Sequence, residues 1–417
     1  MTRQAARVVC TGVGLCSTAG DTPKELWETL LTARGTLAVP LPASESIPLP
    51  VGFAAALPSF TPDELAPSLA RRLDRSAQLG LTAALRAFRD AGGAQLPGDE
   101  CAVTVGSGVG GLGSLLDNHD LARTAPRQVR AYAMPMALPG SIAPEVAMLV
   151  SWRGPCLAYA TACSAGAHAV GEGFRMVRDG YARAVLCGGA ESAIVPSALF
   201  GFGRMGALAT KFDDPARSSR PFDVGRGGMV MGEGAAFLVL ENADSARERG
   251  ATSYGEMLGY AANNDAYHVV APDPDGAGAR RCISAALADA GVAPEEVAQI
   301  NAHGTATARN DLSEALALAA VFGGRPVPLT AVKGVTGHLF GASGALEAVV
   351  ALRQAVTGIV PPTANFTETD IPGLDPAVSA EVRSTEPGVV VSNSFAFGGH
   401  NAVLVLGPGD PGDRRPE

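Results

Sequence analysis

Apolar and polar positions divide the chain into short, largely apolar runs and longer stretches in which apolar residues recur every three or four positions. The runs predict strands at 7–11, 101–106, 156–162, 184–187, 236–240, 297–302, 327–332, 389–391 and 402–406. The periodic stretches between them predict helices. Leu26, Trp27, Leu30 and Leu31 follow a start signal at Thr22-Pro23-Lys24-Glu25, with a capping threonine, a proline at the first helical position and a glutamate three residues on. A longer helix follows Arg71 and runs to about Ala91. Ala167, Val170, Phe174 and Val177 share one helical face, and Cys282, Ile283, Ala286, Leu287 and Ala290 share another. Asp311 and Glu314 fit a capping box that opens a further helix. Gly12 and Gly14 read as the turn out of the first strand, 37–67 as surface loops with a short strand or two, 393–401 as a loop, and 410–417 as a disordered tail.

Strands alternating with helices predict an α/β fold, with helices packed on mostly parallel sheet. The order repeats after a charged linker at 242–250. Two similar βα halves are therefore expected, over 1–250 and 251–409.

Composition narrows the class. The chain has 417 residues, 47% hydrophobic and only 5% aromatic, with 51 glycines, which describes a large core packed from small residues. Residues 1–6 are polar with no apolar run behind them, and 131–152 is broken by Pro135, Pro139, Pro144 and Glu145. Neither a signal peptide nor a membrane span is expected, and the location expected is the cytoplasm. A net charge of −9 disfavours nucleic acid and anionic membranes as partners. Seven cysteines without a CxxC pair fit reduced thiols better than disulfides or zinc, and the six histidines lack metal spacing. No metal is expected. Only Lys24, Lys211 and Lys333 are lysines, which gives weight to any lysine near a candidate site.

The candidate site is built around Thr161-Ala162-Cys163-Ser164-Ala165-Gly166, where an uncharged strand turns directly into a helix. A thiol at a helix N-terminus ionises more readily than its usual value of about 8.5. Later strands deliver His303 and then Lys333 and His338 at their ends, with Glu347 on the helix that follows. A thiolate, two histidines, a lysine and a glycine-rich loop at strand ends form a plausible acyl-transfer site. Amides of Cys163 and of the loop near Phe397 would receive the oxyanion, each such donor worth about 3 kcal/mol of barrier. Two neutral histidines aimed at one thioester oxygen would stabilise an enolate. On spacing alone, either histidine is equally well a hydrogen-bonded core residue. The glycine run Gly106-Ser-Gly-Val-Gly-Gly-Leu-Gly113 is a weak match to a dinucleotide loop, and close packing beside Cys163 explains it better.

TACSAG at Cys163, AHGTAT at His303, KGVTGHLFGASGALE from Lys333 and NSFAFGGHN from Asn393 resemble the β-ketoacyl-[acyl carrier protein] synthase family, nearest its elongating synthase II type. RVVCTGVG, GGAES, RPFD and MGEGA extend the resemblance over nearly the whole chain. It implies a thiolase fold, with duplicated halves in five α-β-α-β-α layers, assembled as a dimer. It implies an acyltransferase that condenses an acyl thioester with malonyl carrier protein, without metal or redox cofactor, the substrates riding on phosphopantetheine. Cys163 matches the acyl-accepting nucleophile, His303 and His338 the decarboxylating pair, Lys333 and Glu347 their supporting network, and Phe397 the gating phenylalanine. Thr305 and Thr307 match the threonines that hold the phosphopantetheine arm, and Phe202 and Gly398 are expected at the substrate. Arg71, Arg72 and Arg204 fall where the family meets its acidic carrier protein, with Arg127 or Arg130 as extensions. Ala396, Ala306 and Gly334 depart from the commonest family residues. Ala133 replaces a bulky residue at the floor of the partner subunit's acyl pocket, which implies a longer or wider pocket. A chain-length-factor-like partner subunit is the alternative role, and Cys163 argues against it. A thiolase or initiating synthase would carry Cys-His-Asn or a second cysteine instead of two histidines.

Overall fold

In the computed structural model, residues 5–32, 34–41, 48–212, 214–375 and 377–415 are described. Ten strands form one mixed sheet: β1 (Val8–Cys16), β2 (Cys101–Gly106), β3 (Cys156–Tyr159), β4 (Ala184–Glu191), β5 (Gly234–Asn242), β6 (Glu256–Asn264), β7 (Val297–Asn301), β8 (Leu329–Thr330), β9 (Val389–Phe395) and β10 (His400–Gly407). Their order across the sheet is β8-β7-β9-β10-β6-β1-β5-β4-β2-β3. Each half contributes five strands in the same order, with its third, second and fourth strands parallel and its fifth antiparallel to both neighbours. The halves are joined edge to edge through Val8 with Met257 and Val9 with Glu256.

Six helices build the layers: α1 (Pro23–Thr32), α2 (Arg75–Asp90), α3 (Ala165–Arg178), α4 (Ala277–Ala290), α5 (Ala308–Val321) and α6 (Ser343–Thr357). The sheet folds over so that α3 and α6 lie between its halves, α2 covers one outer face and α4 and α5 the other. The strand alternation of β5 shows how this is encoded. Leu238 and Leu240 join Phe174 of α3 and Leu346 of α6 in the central layer, whereas Phe237 and Val239 face Leu79 and Ala83 of α2. On the far side Ile283, Leu287 and Leu318 pack under Val403 and Val405 of β10. This is the five-layered, duplicated α/β arrangement expected from the resemblance.

Four local readings are corrected by packing. Gly12 and Gly14 lie inside β1 rather than at its end, and a Cβ on either would come within 2.4 Å of the α2 backbone, so they allow close approach, not a turn. Residues 393–401 are mostly strand, with a loop only at 396–399 between β9 and β10. The linker at 242–250 contains a helical turn, Ala243–Glu248, capped by Asn242, whose side chain accepts from the amides of Asp244 and Ser245. The C-terminal segment is docked through residue 415: Arg415 pairs with Asp90 of α2 at 2.7 Å and its amide donates to the Ser253 carbonyl. Pro416 and Glu417 lie outside the described residues. The start signal of α1 is realised as read, with Glu25 N–H donating to Thr22 Oγ1 and Thr22 N–H to Glu25.

Gly106, at the end of β2, is pressed onto the first residues of α3, and an added Cβ would lie 2.2 Å from the Ala165 carbonyl carbon. Gly106→Ala is expected to destabilise the fold by about 2–3 kcal/mol through overpacking, read as a lowered thermal midpoint; an unchanged midpoint would show that the contact is looser than described.

Candidate active site

The strand β3 ends at Tyr159, and a single helical turn, Ala162–Ser164, leads into α3. Ala162 takes a left-handed φ of +50°, a conformation costly for a residue with a Cβ. The turn is held by Ser164 Oγ donating to Thr161 O at 2.9 Å and by His168 Nδ1, 3.0 Å from both Ser164 O and Thr161 Oγ1. Cys163 is thereby fixed at the helix N-terminus, but it is 7% exposed. Burial pushes its thiol up to about 12, Lys333 opposes this and the Glu191 carboxylate adds to it. The easy ionisation expected from the helix terminus is therefore overridden by desolvation.

The two histidines arrive from the second half. His303 follows β7, and its loop is pinned from behind by Glu314 of α5, which accepts from the amides of His303 and Gly304 at 2.9 Å. Asn393 donates to the same carboxylate. Asp311, one turn earlier, accepts from Phe222 N–H at 2.7 Å. Neither acid caps α5, which starts at Ala308 with Thr307 at its cap position; the spacing of a capping box serves here to anchor two loops from within a buried helix face.

Lys333 is 1% exposed, and its ammonium lies 3.2 Å from His303 Nδ1, 2.6 Å from the His303 carbonyl and against Glu347 of α6. An ammonium only donates, so His303 Nδ1 accepts and its proton sits on Nε2. His338 Nδ1 takes the Phe340 amide at 3.2 Å and contacts Ser343 Oγ at 3.0 Å. An amide also only donates, so His338 is protonated on Nε2 as well. That atom is buried with no hydrogen-bond partner among the described residues. Burial first, then the Lys333 charge, holds both imidazoles well below their usual value, so both are neutral donors. Burial raises Glu347 to about 7 against the pull of Lys333.

Cys163, His303, His338, Phe202, Thr305, Thr307 and Phe397 line one cavity of about 380 Å³. Lys333 and Glu347 stand behind His303 and do not reach the cavity wall. Thr305 and Thr307 share a hydrogen bond of 2.8 Å. Gly398 is exposed beside the wall, its amide donating to Val269 O at 2.8 Å. Arg204 is exposed between the lining residues Phe202 and Met205. Arg71 and Arg72 are exposed near the start of α2, and Arg72 pairs with Glu145 at 3.1 Å. Ala133 stands outside this cavity, in a short helix whose neighbours Tyr132, Met134 and Leu138 are each more than half exposed.

Sequence reading missed Ser343, Phe340, His168 and Asp265, the last on the cavity wall, and it gave Glu314 and Glu191 no role at the site. Glu191 gathers the amides of Gly108, Val109 and Gly341 and the Ser107 hydroxyl, tying the glycine run to the turn after His338. A buried acid in an uncharged run, as in GGAES, was the available signal. Among the described residues no group of His, Cys, Asp and Glu is arranged to hold a metal ion, and no helix is long and apolar enough to cross a membrane.

The family models for the β-ketoacyl synthase N-terminal and C-terminal domains match residues 5–246 and 254–367. A 3-oxoacyl-[acyl-carrier-protein] synthase 2 of Synechocystis sp. is 40% identical over 407 residues, 96% of this chain and 97% of that protein. Among solved structures, the ishigamide ketosynthase/chain length factor superposes with a TM-score of 0.88 at 34% identity, covering 97% of this chain and 99% of that one. A type II polyketide synthase acyl-carrier protein in complex with its ketosynthase bound to the hexaketide gives a TM-score of 0.85 at 27% identity, over 97% and 99%. The two family models together span most of the chain, and the chain belongs to the β-ketoacyl synthase family of thiolase-fold acyltransferases.

Proposed function

We propose that this chain is the condensing subunit of an acyl-carrier-protein-dependent synthase, acting in polyketide or fatty acid assembly. The observation that carries the reading is one cavity holding a thiol beside two neutral imidazoles that both present Nε2–H. Cys163 sulfur attacks the acyl thioester carbonyl, and the carrier thiol leaves with the proton. The two imidazoles donate to the malonyl thioester oxygen as carbon dioxide departs, so the negative charge left behind resides on an enolate held by two hydrogen bonds. The enolate carbon then attacks the Cys163-bound carbonyl. A carbon–carbon bond forms, the carbon–sulfur bond breaks and the product is two carbons longer. Cys163 and Phe397 amides serve the tetrahedral oxyanion, and Thr305 and Thr307 hold the phosphopantetheine arm. Neutral histidines suit this role because Lys333 behind His303 discourages a second positive charge. The chemistry needs no metal or redox cofactor.

The carrier protein docks at the cavity mouth, where Arg204 is exposed, with Arg71 and Arg72 extending the basic surface. A second chain, identical or chain-length-factor-like, covers the open edge at β3. Its residues Cys156, Leu157 and Ala158 are exposed, as are Met134, Leu138 and Met148 nearby in sequence. Ala133 lies on this face and reaches the partner's acyl pocket. The two functional halves are 1–250, with the nucleophile, and 251–409, with the histidines and Lys333. The seven unpaired thiols fit a reducing, cytoplasmic location.

Incubation with acyl and then malonyl carrier protein, followed by intact-protein mass spectrometry, tests the reading. Cys163→Ala is expected to abolish the acyl adduct, whereas His303→Ala and His338→Ala are expected to slow carbon dioxide release at least a hundred-fold while loading falls far less. Equal loss of loading in all three variants contradicts the assigned roles. Because the thiol is raised to about 12, its thiolate fraction below that value rises about ten-fold per pH unit. Alkylation of Cys163 by iodoacetamide should therefore accelerate steadily from pH 6 to 9. A plateau near neutrality would mean that the helix terminus outweighs burial after all.

A further inference from the structure

Four aromatic rings run from the mouth of the cavity to its catalytic floor. Phe397 lies 6.1 Å from Phe202 between ring centres, with planes 32° apart. Phe202 stacks on Phe340 at 5.2 Å and 28°, and Phe340 stacks on the His338 imidazole at 4.8 Å and 17°. The four rings come from three separate parts of the chain: the helix Pro196–Arg204, residues 338–342 and the loop 396–399.

Phe340 grips His338 twice. Its amide donates to Nδ1, and its ring covers one imidazole face. It does so with a left-handed φ of +46°, a conformation that a phenylalanine keeps only where its surroundings fix it. They do: Gly341 N–H is held by Glu191 and Leu339 N–H by Ser343 Oγ, on either side of it. The ring is 5% exposed, and its second neighbour is Phe202, which meets the gate. His338 Nε2 has no partner of its own among the described residues, so the aim of that N–H is set by the Nδ1 contacts, by the Phe340 face and by His303, whose ring meets it edge-on at 5.5 Å and 83°.

We propose that Phe340 is a positioning residue linking the gate to the decarboxylating histidine: one face of its ring fixes the His338 imidazole, and the other, through Phe202, registers whether Phe397 is seated. Packed contacts of this kind couple two sites only if both bias the same arrangement. Here the shared arrangement is the ring stack itself. With Phe397 seated the stack is complete and His338 is clamped; with Phe397 withdrawn, Phe202 loses one face and the clamp on His338 loosens. Malonyl decarboxylation is thereby tied to the gate position rather than occurring at any time the cavity is open. The proposal rests on the role proposed above for His338 and on the gating role that the family resemblance implies for Phe397.

The test measures carbon dioxide release from malonyl carrier protein and acyl loading of Cys163 side by side in the full chain, for the natural sequence, Phe340→Leu, Phe397→Leu and the double variant. Leucine retains an apolar side chain without an aromatic face. Phe340→Leu is expected to lower decarboxylation at least five-fold more than loading, and Phe397→Leu to lower decarboxylation in the natural background but by less than two-fold on top of Phe340→Leu, because coupled residues fail additivity. Equal loss in both steps marks a merely structural role and overturns the proposal. So does no loss in either, or two effects that multiply independently. Should Phe340→Leu not fold, Phe202→Leu removes the middle ring and completes the same cycle with Phe397. A natural chain that neither loads nor decarboxylates overturns the condensing reading itself, which is a different result from these.

Discussion

The candidate site depends on two helix N-termini meeting across glycines, with no room there for a larger side chain. Cβ atoms on Gly166 and Gly344 would lie 2.6 Å from the Gly341 carbonyl and 2.7 Å from the Ala167 side chain. Cys163 belongs to one half of a duplicated fold and the histidines to the other, so the distance between α3 and α6 decides whether they share a cavity. The glycines at this crossing give up side-chain burial for proximity. The large residues that compensate, Phe174, Leu346 and Tyr260, sit further along the same central layer.

Within that layer the electrostatics are unusually committed. Lys333, Glu347, His303 and His338 are each about 1% exposed. A buried ion pair costs desolvation that its mutual attraction barely offsets, so its value lies elsewhere. Here the ammonium fixes which nitrogen of His303 carries the proton, a choice that an isolated imidazole leaves open. Glu347 keeps the lysine beneath the ring rather than in the cavity. Chemistry in the cavity is thus set by groups that never touch it.

Much of this was legible from local pattern. The turn at Cys163, both histidines, Lys333, Glu347 and Phe397 stood in motifs whose residue types already narrow the chemistry, and strand alternation with a repeated order pointed to the layered fold. Long-range packing was not legible. Gly12 and Gly14 carry the composition of a turn, and only the approach of α2 reveals a strand. Asp311 and Glu314 have capping-box spacing, but α5 begins a turn earlier and buries both. Segment 410–415 has the composition of a loose tail, and partners far away in sequence, Asp90, Arg247, Ser253 and Arg7, explain why it is docked. The raised thiol of Cys163 was misjudged for the same reason, since helix position is local while desolvation is a property of the whole surround.

The open edge at β3 bears on folding as well as on assembly. A strand that among the described residues is paired on one side only, with Cys156, Leu157 and Ala158 turned to solvent, offers amides and carbonyls that will take any strand presented to them. Once a second chain occupies that edge, the folded state of each subunit is stabilised by mass action. Stability then becomes a function of subunit concentration, and a chain made in excess of its partner is the one exposed to wrong pairing.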